Sequence, residues 1–215
     1  MNGFPLQKIL KGRLLKIAEM QDKLMIEASS RFGIVLHGGT AIWRMYKGKR
    51  LSFDIDVYYN KPKEMLKHFE RSGIFRLAKG KLTGTDTLYM KFQEGDIEVE
   101  MQASSLPRKM RMVDGEFRLV GGDSIIVRTL EPSELLLEKI SAFGDRRKSR
   151  DLYDVFYLLE FTDAKDVRRA LNGLLPLLGE PPKDFAGLRE LILMGKAPDF
   201  ETIVRKVKLY AKGQA

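Results

Sequence analysis

The stretch "IVLHGGTAIWRMYKGKRLSFDIDVYY", residues 34 to 59, constrains this chain more than any other. An apolar run of strand character ends in a glycine pair. A short helical segment follows, and a second apolar strand then carries two aspartates separated by one isoleucine. Side chains alternate along a strand, so Asp54 and Asp56 point the same way and Ser52 shares their face, while Phe53, Ile55 and Val57 turn toward the core. Like charges so close repel, and a bound divalent cation relieves the repulsion. Hard carboxylate oxygens suit Mg2+, which keeps waters and phosphate oxygens as its other ligands. Gly38 and Gly39 offer a cradle for such phosphates, because glycine lets the backbone approach closely and N–H groups at a helix start favour anions. Each motif alone is weak, since a lone Asp-x-Asp is more often a solvated strand face and a lone Gly-Gly a loop. The order strand, Gly-Gly, helix, strand with Asp-x-Asp carries the reading.

A third acid is expected nearby. In "DIEVEM" the acids Asp96, Glu98 and Glu100 alternate with apolar Ile97, Val99 and Met101 and share one face. A strand beside the Asp-x-Asp strand would present Glu98 or Glu100 to the same ions; for Glu98 a solvated position is the plainer reading. Three carboxylates and two Mg2+ ions make a site for in-line nucleotidyl transfer.

The rest of the chain reads as α/β followed by helices. Residues 6 to 32 have the apolar spacing of one amphipathic helix, with Gly33 at its stop. "PKEMLKHFERSG" is another helix, "FRLAKGKL", "TLYMKFQ" and "DIEVEMQ" are strands, and "EFRLV" and "SIIVRT" are weaker ones. From "EPSELLLEKISAF" onward the pattern is mostly helical, with Pro132 where a first helical turn tolerates it. The expected division is an α/β domain over residues 1–128, including the N-terminal helix, and a helical domain over 129–215. At 215 residues the chain suits one large domain or two small ones.

Composition narrows the chemistry. The chain has no cysteine, which removes disulfides, thiolate catalysis and cysteine-bound zinc and fits a reducing cytoplasm. Two histidines, His37 and His68, exclude a three-histidine metal site within one chain. No apolar run approaches the roughly eighteen residues of a membrane span, and the first residues lack a signal-peptide core. The net charge of +9 is a common footprint of a nucleic-acid or polyphosphate partner, and equally of a plain lysine-rich surface. Residues 1 to 50 hold ten Lys/Arg against three Asp/Glu, and "DRRKSRD" forms a second basic cluster.

With these residues placed, "GGTAIWRMYKGKRLSFDIDV" resembles the nucleotidyltransferase superfamily in the form used by the AbiEii/AbiGii-type toxins. The family pattern of Gly-Gly-Thr-Ala, a helix and Arg-x-Ser-x-Asp-Ile-Asp falls on Gly38, Gly39, Thr40, Ala41, Arg50, Ser52, Asp54, Ile55 and Asp56. Its later carboxylate, following an apolar residue, matches Glu100 better than Glu98. A second block, "EKISAFGDRRKSRDLYD", is similar to the family's helical signature through Lys139, Arg146, Arg150, Asp151 and Asp154. Lys139 suits phosphate as a point charge. Arg146 and Arg150, four apart, share a face if the stretch is one helix, and suit triphosphate or acceptor RNA. Asp151 and Asp154 suit orienting a cation, contacting the nucleotide or acting as a base, against the bland alternative of a surface ion-pair network. Trp43 reads as helix packing, with base stacking as the minority reading.

The resemblance implies a nucleotidyltransferase-like mixed sheet flanked by helices, with a helical C-terminal part that closes the nucleotide cleft. It implies catalytic Asp54, Asp56, Glu100, Lys139 and Asp151, phosphate or nucleotide contacts from Gly38, Gly39, Thr40, Ser52, Arg146, Arg150 and Asp154, and Mg2+, as one or two ions, or Mn2+, on Asp54, Asp56 and Glu100. The expected reaction moves a nucleoside monophosphate from an NTP to an acceptor, an RNA such as a tRNA end, in a cytoplasmic toxin with a cognate antitoxin protein and no membrane partner. The rivals are the same chemistry on a small molecule or protein, a catalytically silent RNA-binding module, and a metal-dependent nuclease.

Overall fold

The computed structural model describes residues 5–214; residues 1–4 and 215, the extremities of the two expected domains, lie outside the described residues. The chain divides into two compact units. One comprises the residues up to Lys47 together with Ser52–Thr129, and the other comprises Gly48–Leu51 and the residues from Leu130 onward.

The first unit runs α1 (Gly12–Arg31), β1 (Val35–His37), α2 (Gly38–Arg44), β2 (Ile55–Tyr58), α3 (Pro62–Arg71), β3 (Arg76–Leu82), β4 (Leu88–Glu94), β5 (Ile97–Ser104), β6 (Met112–Arg118) and β7 (Ser124–Leu130). Its seven strands form one mixed sheet in the order β3-β4-β5-β2-β1-β7-β6. Strand β1 is antiparallel to β2 and parallel to β7, β2 is parallel to β5, and β3, β4 and β5 form an antiparallel meander. The meander follows from alternation. Leu88, Met90 and Phe92 on β4 and Ile97, Val99, Met101 and Ala103 on β5 are buried, and the residues between them form a polar face. Gly95, at φ 62°, takes the left-handed conformation that the tight β4–β5 turn requires. Beneath the buried face Phe69 of α3 packs edge-on against Phe92, ring centroids 4.9 Å apart.

Three expectations need correction. The N-terminal helix is not continuous from residue 6: a short 3-10 turn over Leu6–Lys8 precedes α1, and Gly12 at φ 53° redirects the chain between them. Leu6 and Leu10 are buried all the same, so the apolar spacing reported burial correctly and helix continuity incorrectly. Strand β2 begins at Ile55, so Ser52 and Asp54 precede it, and Phe53 is 39% exposed instead of facing the core. Strand β6 covers Met112–Arg118, four residues earlier than the apolar run "EFRLV" suggested.

The second unit is built from α4 (Pro132–Arg146), α5 (Ser149–Leu158), α6 (Ala164–Leu174), α7 (Leu188–Leu191) and α8 (Phe200–Lys212). Pro132 occupies the first turn of α4, where no intrahelical donor is lost. The segment Gly48–Leu51 belongs here through main-chain bonds. Leu51 N–H donates to Leu191 O at 2.9 Å, Leu193 N–H donates to Lys49 O at 2.8 Å, and Arg50 forms an antiparallel bridge with Ile192.

Candidate active site

The parallel register of β2 and β5 sets Ile55 beside Met101 and Asp56 beside Gln102, and Asp54, just ahead of β2, lines the same cavity as Glu100. On the other side of β5, Lys91 of β4 lies opposite Glu100 and Tyr89 opposite Gln102; β3 adds Lys79 opposite Lys91 and Lys81 opposite Tyr89. Two rows of side chains therefore cross the polar face of the sheet, Lys81–Tyr89–Gln102–Asp56 and Lys79–Lys91–Glu100. With Asp54 they line an open cavity of about 430 Å³.

Asp54 lies outside the regular ladder, and its backbone is held by side chains instead. The Thr40 hydroxyl donates to the Asp54 carbonyl. The Gln21 amide donates to the carbonyls of Ser52, at 3.0 Å, and Phe53, at 2.9 Å. Gln21 and Thr40 are both fully buried, so each is committed to the loop that delivers Asp54. Thr40 was expected among the phosphate contacts; its hydroxyl is engaged with the protein backbone. Gln21 was missed by sequence reasoning: an uncharged amide on the buried side of α1 reads only as an interruption of the apolar stripe.

Gly38 follows β1 directly and has φ 71°, a conformation that penalises any side chain. A Cβ there would also run into the Asp56 carboxylate, reaching 3.0 Å from Cγ. Glycine at 38 thus leaves room for the carboxylate. Gly39 is buried within α2, a helix of only seven residues. His37 pairs across the ladder with Asp56, and its ring stacks on Tyr58 at 3.9 Å and 3°. Trp43 is buried in packing beneath α2, where no base reaches it.

The third acid is already engaged. Lys91 Nζ lies 3.1 Å from Glu100 and 3.4 Å from Glu98. The hydrogen bond to Glu100, then that to Glu98, raises the Lys91 pKa above its ordinary value. Of the two glutamates Glu100 lines the cavity; Glu98 lies opposite Gln93, one pair further from Asp54. Among the described residues no three His, Asp or Glu side chains converge closely enough to hold a metal ion. The fit to Mg2+ therefore rests on Asp54 and Asp56, and one or two carboxylates are what Mg2+ takes when substrate phosphates and water complete its octahedron.

The second block forms a buried ionic cluster within the helical unit. Arg50 donates to both carboxylate oxygens of Asp154, each at 2.8 Å. Lys139 Nζ lies 3.1 Å from Asp154 and 3.7 Å from Asp151, and Arg146 forks onto Asp151 with two bonds of 2.7 Å. Burial alone would raise the Asp154 pKa; the charge of Arg50, then that of Lys139, with hydrogen bonds from both, outweigh it and hold the carboxyl below its usual range. Three cations, Arg50, Lys139 and Arg146, thus meet the two carboxylates of Asp151 and Asp154. The Arg146 side chain is 45% exposed and borders a surface depression of mixed charge, with Arg147, Lys148 and Lys183 beside Glu180 and Asp184.

Arg146 and Arg150 do not share a helix face. Helix α4 ends at Arg146, Arg147 adopts the left-handed conformation at φ 52°, and α5 begins at Ser149. No glycine, proline or asparagine marked that break. Asp151 contacts Lys139 and Arg146, and Asp154 contacts Lys139 and Arg50.

Solved structures share this fold. JHP933 from Helicobacter pylori is similar with a TM-score of 0.66 and 18% identity, over 95% of this chain and 94% of that one. A candidate nucleotidyltransferase from H. pylori is similar with a TM-score of 0.67 and 18% identity, over 95% of this chain and 97% of that one. The likeness to both is one of fold. No protein among curated sequences matches the chain. The model of the nucleotidyl transferase AbiEii toxin family, of type IV toxin–antitoxin systems, matches residues 26–205, and the chain belongs to that family. It is a nucleotidyltransferase.

Proposed function

We propose that this toxin-family enzyme transfers a nucleoside monophosphate from an NTP to an RNA acceptor, a tRNA end, with Mg2+ held by Asp54 and Asp56. The observation that carries the reading is the pair of aspartates lining one open cavity whose far wall adds the exposed cations Lys79 and Lys81. Carboxylates that hold a cation beside lysines that attract phosphate suit a polyanionic substrate, and the net charge of +9 suits RNA.

In the reaction an acceptor hydroxyl oxygen forms a bond to the α-phosphorus while the bond from that phosphorus to the bridging oxygen breaks. Pyrophosphate leaves with the electron pair, and the hydroxyl proton leaves to solvent through the open side of the cavity. Bound Mg2+ would supply charge neutralisation at the phosphates and activation of the attacking oxygen. Asp54 and Asp56 would hold the cation, and Thr40 and Gln21 fix the backbone that presents Asp54. Glu100, on the same cavity wall and paired with Lys91, would be the third carboxylate available to the ion. Within the helical unit, Asp151 and Asp154 orient Lys139 and Arg146. Family membership further supports an antitoxin protein as a partner.

The test incubates the protein with Mg2+, each labelled NTP in turn and total tRNA. Label in tRNA, lost by more than about a hundredfold in Asp54→Asn or Asp56→Asn with folding intact, supports the reading, since even outer-shell metal partners are worth up to about that factor. Shortened RNA would make the protein a nuclease. Label in protein or a small molecule alone would reassign the acceptor.

A further inference from the structure

We propose that the exposed face of β3 and β4 is the track for the acceptor strand, with Tyr89 as a stacking platform for a base and Arg76, Lys79 and Lys81 as its phosphate contacts. The inference rests on the transfer reading above and names where the acceptor lies.

The edge strand β3 has a bulge between Leu77 and Lys79. Strict alternation would send residues 76 and 79 to opposite faces. The bulge restores Lys79 to the face of Arg76, so Arg76 pairs with Gln93, Lys79 with Lys91 and Lys81 with Tyr89, all on the polar side of the sheet. Three cations of one edge strand are thereby aligned on one face, and all three are exposed. Tyr89 stands among them, 47% exposed, while its neighbours Leu88 and Met90 are buried. An aromatic ring left open on a polar face, flanked by cations, is the composition of a single-strand nucleic-acid platform: the base stacks and the backbone follows the charge.

The position relative to the aspartates gives the track a direction. Asp56, Gln102, Tyr89 and Lys81 occupy one row on successive strands. With strands about 4.8 Å apart, Tyr89 stands about 10 Å from Asp56 and Lys81 about 14 Å. A reacting terminal hydroxyl at the aspartates therefore leaves its base, or the next one, within reach of Tyr89, and the following phosphates at the edge strand. The charge continues to the edge of the sheet, where a chain can leave. A lone triphosphate needs no such extension, and this favours the acceptor over the NTP as occupant.

The experiment measures two bindings on the full chain: anisotropy of a fluorescein-labelled single-stranded RNA of about twelve nucleotides, and retention of each labelled NTP with Mg2+. Tyr89→Ala is expected to weaken the RNA about tenfold while Tyr89→Phe keeps it, because stacking and not the hydroxyl is used. The double variant Lys79→Ala/Lys81→Ala is expected to make the salt dependence of RNA binding shallower by about 1.4 in the log–log slope, about 0.7 for each lost contact. In Tyr89→Ala, NTP binding stays as in the parent chain. RNA binding unaffected by either variant overturns the track and leaves the transfer reading standing if Asp54→Asn still abolishes labelling of tRNA. Loss of NTP binding with RNA binding kept reassigns the platform to the nucleotide base and also overturns it.

Discussion

Arg50 and Asp154, 104 positions apart, meet as a buried two-pronged pair, with both hydrogen bonds at 2.8 Å and side chains only 6% and 1% exposed. The arginine stands four residues before Asp54, and the aspartate sits on α5 beside the Lys139 ammonium.

Removing the arginine leaves a buried carboxylate with half its support. Arg50→Ala is expected to destabilise the protein by about 3–5 kcal/mol in urea unfolding, and Arg50→Met with Asp154→Leu to recover most of that loss. The Asp154 pKa is lowered in the folded state, so its contribution is fully present above the unfolded value of 3.8 and disappears as pH falls through the lower folded value. Acid unfolding of the parent chain should show this loss below pH 3.8, and Arg50→Ala should show a smaller acid dependence.

Gly38→Ala tests the space given to Asp56. A side chain at φ 71° costs about 1–2 kcal/mol, and its Cβ displaces the carboxylate. The expected result is a transfer rate at least about tenfold below the parent at a temperature where both are folded, by analogy with outer-shell metal partners. Equal rates would show that the Asp56 position is unimportant.

Two isosteric changes separate holding Asp54 from building the core. Thr40→Val removes the donor to the Asp54 carbonyl and Gln21→Met removes the donor to Ser52 and Phe53. Each should cost about 1–3 kcal/mol, the range for a buried acceptor left unpaired. Both should also lower kcat more than they raise KM for NTP, because the loop they hold presents a metal ligand. Steady-state kinetics beside thermal melts reads both effects.

Lys91→Met releases Glu100 and Glu98 from their shared cation. The Mg2+ concentration for half-maximal transfer should fall by up to about fivefold, the scale of an exposed ion pair. An Mg2+ titration of activity measures it, and an unchanged midpoint would place Glu100 outside the ion site.

The sheet and the carboxylate face were readable because both rest on alternation. The period of two in "DIEVEM" and "TLYMKFQ" fixes which side chains face out wherever the other face is buried, and the parallel register then sets Gln102 beside Asp56. What the sequence hid depends on contacts between distant residues or on one backbone conformation. Gln21 acts on carbonyls 31 and 32 positions away and leaves no local pattern. The bulge that turns Lys79 to the polar face has no glycine at its position to announce it. Arg147 adopts a left-handed turn without a favourable side chain, so "DRRKSRD" read as one helical face although it spans two helices. The burial of Asp154 and its pairing with Arg50, 104 positions away, left no local mark in the sequence.

The strip Gly48–Leu51 lies in the middle of the α/β sequence yet is bonded by Leu191 and Leu193, which governs how the protein can be dissected. A recombinant fragment halted after Thr129 would strand Lys49 and Leu51 without those carbonyl and amide mates and Arg50 without its counter-ion, directly upstream of Asp54. Cleaner dissection would excise 48–51 and splice the ends, since no single scissile position divides the polypeptide into two self-sufficient pieces.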